Sequence, residues 1–141
     1  MTRRKGDRAE RDLANTLADD FGWHAQRTGS SGSATERPRP DVLACRRIGW
    51  NQTGVTASRA AAIEVKAWSD GVGHLDAHEI ADLRAIAERS GARALVAVRP
   101  DLRTHDQWHV FDVDELHETP AGNFSVRKAD LPGQTLVEVF G

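Results

Sequence analysis

The chain of 141 residues holds a single cysteine, Cys45, and only three lysines, Lys5, Lys66 and Lys128, against 16 arginines. One cysteine excludes an intrachain disulfide and any thiolate metal cluster, and it fits a reducing compartment. Cys45 itself reads as a small strand residue. No apolar run approaches the roughly 20 residues of a membrane span. No apolar segment follows Met1-Thr2-Arg3-Arg4-Lys5-Gly6, so the expectation is a cytoplasmic protein without a secretory signal or a membrane partner. Internal repeats and long linkers are missing too, and the length suits one domain over residues 1–141. The six histidines make no zinc motif. In His78-Glu79-Ile80-Ala81-Asp82, Asp82 stands where a zinc protease has its second histidine, and His74 and His78 read as solvated.

What is present is an uneven charge. The net value of −2 argues against a simple polyanion binder. Residues 1–66, however, carry 12 basic and 8 acidic groups, whereas residues 67–141 carry 7 and 13. A basic front half beside an acidic back half suggests that one face meets an anion.

The pattern of apolar residues predicts an amphipathic helix over 6–21 that ends near Gly22, and a strand from Trp23 to Thr28. A flexible Gly/Ser loop, 29–33, runs into Pro38 and Pro40. A short strand follows from Val42 to Arg46, then a turn or hairpin excursion from Trp50 to Ser58, a strand from Ala61 to Trp68, and a loop over 69–76. A second helix spans 77–90, with Ile80, Leu83, Ile86 and Ala87 at helical spacing and Gly91 closing it. Strands follow at Ala94 to Val98 and Trp108 to Val113, then an acidic turn over 114–118, a turn at Gly122-Asn123 and an apolar stretch from Leu136 to Phe140. The order α-β-β-β-α-β-β implies an α/β domain, a mixed central sheet flanked by helices.

One short pattern carries the chemistry. Pro40-Asp41 precedes Ile63-Glu64-Val65-Lys66. Strand side chains alternate, so if Ile63 and Val65 are buried, Glu64 and Lys66 share the opposite face. An acid and an amine fixed side by side, with a second acid at the start of a neighbouring strand, can hold a divalent cation next to a phosphate. One of only three lysines falls there, and lysine is a compact point charge that the arginine fork does not imitate.

A third acid sits in an odd place. On a helical wheel Glu10 falls inside the apolar arc of Ala9, Leu13, Ala14, Leu17 and Phe21. A buried unpaired carboxylate is costly. Either Glu10 lies where the stripe meets water and pairs with an arginine, or it points into the acidic site. If Glu10, Asp41 and Glu64 meet, all-oxygen ligation favours Mg²⁺ or Mn²⁺.

Four ordered blocks carry a family resemblance: Lys5-Gly6-Asp7-Arg8-Ala9-Glu10-Arg11-Asp12-Leu13; Arg27 with Ser30-Ser31-Gly32-Ser33; Pro40-Asp41-Val42-Leu43-Ala44; and Ile63-Glu64-Val65-Lys66. Together they resemble the archaeal Holliday-junction resolvases of the Hjc type, and the resemblance covers nearly the whole chain. It implies a restriction-endonuclease-like fold, a homodimer, Mg²⁺ dependence with Mn²⁺ as a substitute, and paired nicking of four-way DNA junctions in recombination and repair. Carried over, it implies Glu10, Asp41 and Glu64 as metal ligands, Lys66 as the catalytic lysine and Ser31 as a catalytic loop serine at the phosphate. No small-molecule cofactor is expected.

Arg3, Arg4, Lys5, Arg8, Arg11 and Arg27, with Ser31, Arg37 and Arg39 from the loop before Asp41, are candidates for contacts to the DNA backbone. Such contacts set register without reading bases, which suits an enzyme that reads branch shape. Two other readings stay open at this level: a restriction or repair endonuclease of the same fold, and a non-catalytic DNA-binding module on that scaffold.

Overall fold

A computed structural model describes residues 3–28, 39–50, 54, 56–68, 73–101 and 107–141. Helix α1 runs Arg3–Phe21. Ala9, Leu13, Ala14 and Leu17 are its buried stripe, the spacing that puts one face of a helix on a sheet. Gly22 follows in the left-handed region at φ 72°, and the Trp23 amide donates back to the Leu17 carbonyl at 3.0 Å. The chain then turns into β1 (His24–Arg27).

Strands β2 (Val42–Trp50) and β3 (Thr56–Trp68) form a long antiparallel hairpin. β3 pairs in parallel with β5 (Arg93–Pro100), and β5 in antiparallel with β6 (His109–Asp112). The main sheet is therefore mixed, in the order β1-β2-β3-β5-β6. A parallel pair needs a crossover. Here it consists of β4 (Gly73–Leu75) and helix α2 (Ala77–Ser90), which Gly91 ends at φ 66°. β4 joins β7 (His117–Glu118) and β8 (Phe124–Val126) in a small second sheet ordered β4-β8-β7.

Two apolar layers sandwich the main sheet. On one face Leu13 and Leu17 of α1 pack with Val42, Ile63, Val65, Leu95 and Phe140. On the other, Ile80, Leu83 and Ala87 of α2 pack with Ala62, Val96, Val98 and Val126. Ile63 and Val65 are buried while Glu64 and Lys66 are only partly so, as the alternation predicts.

The structure moves several expected boundaries. Of the Trp50 to Ser58 excursion, Trp50 is the end of β2 and 56–58 the start of β3, so among the described residues both strands reach beyond the Val42–Arg46 and Ala61–Trp68 segments. Arg46, Arg47, Ser58 and Arg59 are exposed there, so backbone pairing builds that ribbon without any alternation of burial. The 69–76 loop contains β4. The Leu136 to Phe140 stretch is helix α3 (Leu136–Phe140), held by the Trp23 indole Nε1–H, which donates to the Phe140 carbonyl at 2.8 Å.

Candidate active site

The end of the sheet where β2 begins and β3 finishes gathers the acids. Thr28, just after β1, ties itself to both residues of Pro40-Asp41: its amide donates to the Asp41 carbonyl at 3.2 Å and its hydroxyl to the Pro40 carbonyl. Asp41 thus enters β2 from a fixed position, and its Oδ2 accepts the Val65 amide at 2.8 Å. Val65 lies between Glu64 and Lys66, so this bond sets the Asp41 carboxylate against the strand that carries both.

Glu64 feels the result most. Burial, followed by the charge of Asp41 and hydrogen bonding to it, pushes the Glu64 carboxyl up to about 9, and neighbouring Lys66 pulls only part of that back. Glu10 joins from α1. Burial raises its carboxyl, the hydrogen bond from Arg27 lowers it, and Asp41 raises it again by charge and hydrogen bonding. Asp41 is therefore the shared neighbour of both glutamates. Of the two readings of Glu10, each holds in part: Arg27 Nη2 reaches its Oε2 at 3.0 Å, yet it still faces the acidic group.

Arg27 is also 3.3 Å from Asp7 Oδ1. Its guanidinium is engaged by two carboxylates, a different setting from the open phosphate contact expected of it. Arg8 and Arg11 are exposed on α1, and exposed Arg39 donates to the Thr28 carbonyl at 3.3 Å. Ser31 and Arg37 lie outside the described residues, as do the side chains of Arg4 and Lys5.

Lys66 has a partner that the motif does not contain. Its Nζ is 3.1 Å from Glu79 Oε1 on α2. Glu79 also adds to the upward pressure on Glu64. Asp76-x-x-Glu79 is a capping box that starts α2, but that pattern does not say what Glu79 meets across the sheet. His78 instead pairs with Asp82 at 3.3 Å, and its ring is largely exposed.

Among the described residues no three His, Cys, Asp or Glu side chains close into a ready-made metal cage. The donor set nonetheless fits a hard divalent cation. Carboxyls that hydrogen-bond to one another need a proton between them, and a cation can take the proton's place. No described helix is long and apolar enough to cross a membrane.

No curated protein sequence matches the chain. Among solved structures, the fold matches that of Hjc from Archaeoglobus fulgidus, a Holliday junction resolvase from an archaeal hyperthermophile. The TM-score is 0.76 at 31% identity, over 96% of this chain and 100% of that one. The family model of archaeal Holliday junction resolvases matches residues 1–141. The mixed sheet with helices on both faces is thus a resolvase fold, and the chain belongs to the archaeal Holliday junction resolvase (Hjc) family, enzymes that cut four-way DNA junctions.

Proposed function

We propose that Glu10, Asp41, Glu64 and Lys66 are the hydrolytic centre of this resolvase, with Mg²⁺ as its cation and Mn²⁺ as a substitute. The observation that carries this reading is the grip of Asp41 Oδ2 on the Val65 amide at 2.8 Å, beside a Glu64 that holds its proton to about 9. Carboxyls that burial first, and the charge of Asp41 second, keep from ionising favour a cation among them. Asp41 and Glu64 would hold the ion and Glu10 would support it. When bound, the ion would neutralise charge on the phosphate and acidify a water. Lys66 would orient the attacking water or stabilise negative charge developing on the phosphate. Ser31 remains a candidate for a hydrogen bond to the phosphate.

For the DNA backbone, Arg4, Lys5, Arg8, Arg11, Arg37 and Arg39 are the proposed contacts. Arg27 has a different role. Held between Asp7 and Glu10, it anchors Glu10 toward Asp41. Four-way junctions have approximate two-fold symmetry and need two opposed nicks, so the working unit is proposed to be a homodimer in the cytoplasm, two-fold pairing being the commonest closed assembly.

The test is cleavage of a four-way junction and of linear duplex by wild type, Asp41→Asn and Glu64→Gln. Mg²⁺-dependent junction cutting by the wild type alone, with junction binding retained by the variants, is expected. Equal wild-type rates in chelator and in Mg²⁺ would refute the metal reading. A stable monomer in light scattering, together with uncoupled single nicks, would refute the dimer.

A further inference from the structure

The Lys66–Glu79 pair has no place in the Pro-Asp and Glu-x-Lys pattern. It joins the sheet to α2, and both side chains are partly shielded, at 16% and 32% exposure. Glu79 divides its carboxylate: Oε1 accepts from the Lys66 ammonium at 3.1 Å and Oε2 from the Asp76 amide at 3.3 Å. The first turn of α2 is itself pinned. The Ala77 amide donates to Asn123 Oδ1 at 3.0 Å, and the chain leading into α2 passes so close to Trp68 that a Cβ at Gly73 would overlap the indole ring. Glu79 is therefore a fixed acceptor facing a flexible amine.

The consequence follows from what else surrounds Lys66. Its four-carbon stem is free to rotate, and Glu64 lies two residues away on the same face of β3. Asp41 is bound to the residue between them. With no acceptor on the helix side, the ammonium would settle on those carboxylates. We propose that Glu79 is a positioning residue of the hydrolytic reaction: it holds the Lys66 ammonium on the α2 side of the acidic group, off the carboxylates of Asp41 and Glu64. Those oxygens then stay available to a cation, and the amine stays where a phosphate or its attacking water would meet it. This rests on the reading of Lys66 as catalytic.

The substitution that isolates the effect is Glu79→Gln. Glutamine at this position still closes a capping box, so the start of α2 survives while the charge that holds Lys66 is lost. Single-turnover cleavage of a four-way junction would be measured at saturating Mg²⁺ for wild type, Glu79→Gln, Glu79→Asp, Lys66→Ala and the double variant. Junction affinity in chelator and thermal midpoints would be measured alongside. The expected result is a loss of about 10–100-fold for Glu79→Gln, with affinity and midpoint unchanged. Glu79→Asp should recover part of the rate, and Glu79→Gln should add nothing in the Lys66→Ala background. Wild-type cleavage by Glu79→Gln, or the same loss with and without Lys66, overturns the proposal while leaving Lys66 catalytic. Wild-type cleavage by Lys66→Ala overturns the reading of Lys66 itself.

Discussion

Asp41 and Val65 are joined by a hydrogen bond of 2.8 Å from the Val65 amide to Asp41 Oδ2, so the first acid of the site is fastened to the backbone between the second acid and the lysine. One side chain both completes a backbone bond at the end of the sheet and presents its charge to Glu10 and Glu64.

That double role separates two substitutions. Asp41→Asn keeps a carbonyl oxygen for the Val65 amide and loses only the charge. Asp41→Ala leaves the amide without its partner, which costs on the order of 1–3 kcal/mol. Both variants are expected to be inactive in junction cleavage, but only the alanine variant should show a lower midpoint in denaturant unfolding. Equal stabilities would mean that the bond to Val65 contributes nothing.

The Glu64 carboxyl gives a pH signature. Its folded value of about 9 lies far above the 4.5 from which it is raised, so between those values the folded chain holds a proton that the unfolded chain releases. The stability linked to this group is present below about pH 4.5 and is lost as pH rises toward 9. In chelator, Glu64→Gln should therefore be more stable than wild type at pH 8, by on the order of a few kcal/mol, and the gap should close toward pH 5. Parallel curves of thermal midpoint against pH for the two proteins would count against this.

The alternation of Ile63, Glu64, Val65 and Lys66 was legible because one face of β3 is core, and the helix stripe was legible because Ala9, Leu13 and Leu17 all reach it. The outer hairpin was not. At Arg46, Arg47, Ser58 and Arg59 the side chains are exposed, so no alternation of burial marks these paired strands. Lys66 was legible as a rare lysine in an arginine-rich chain, but its partner was not. Glu79 lies 13 residues further on, and whether it meets Lys66 depends on how the first turn of α2 is set against β3, which no local pattern states. The same holds for Arg27, whose partners Asp7 and Glu10 are brought beside it by the packing of α1 and by no local pattern.

Arg27 and the exposed arginines of α1 can be told apart by salt. Each phosphate contact adds about 0.9 to the slope of log affinity against log salt on duplex DNA. Arg8→Ala or Arg11→Ala should lower the slope for junction binding by about one contact each. Arg27→Ala should leave the slope unchanged and reduce cleavage, since it removes the hydrogen bond that lowers the Glu10 carboxyl. Filter binding or fluorescence anisotropy over a salt series decides the matter: a slope reduced by Arg27→Ala would make it a phosphate contact after all.

Arg46 and Arg59 face each other across β2 and β3, and both are exposed. Like charges directly opposite destabilise an antiparallel pair by roughly 0.2–1 kcal/mol. Arg46 turns part of its charge aside, its Nη1 reaching the Phe140 carbonyl at 3.4 Å, but from Asp41 to Glu64 the sequence has no acid between them to neutralise the ribbon. Arg59→Glu should convert the opposed pair into an attractive one, and Arg59→Thr should simply remove the repulsion. Both are expected to raise the denaturant midpoint, the glutamate variant more, each by less than about 1 kcal/mol. Salt gives the control. Screening shortens to about 3 Å at 1 M ionic strength, so the advantage of either variant should vanish there. A gain that persists at high salt would have to come from strand propensity, and no gain at all would show that the two guanidinium groups already avoid each other.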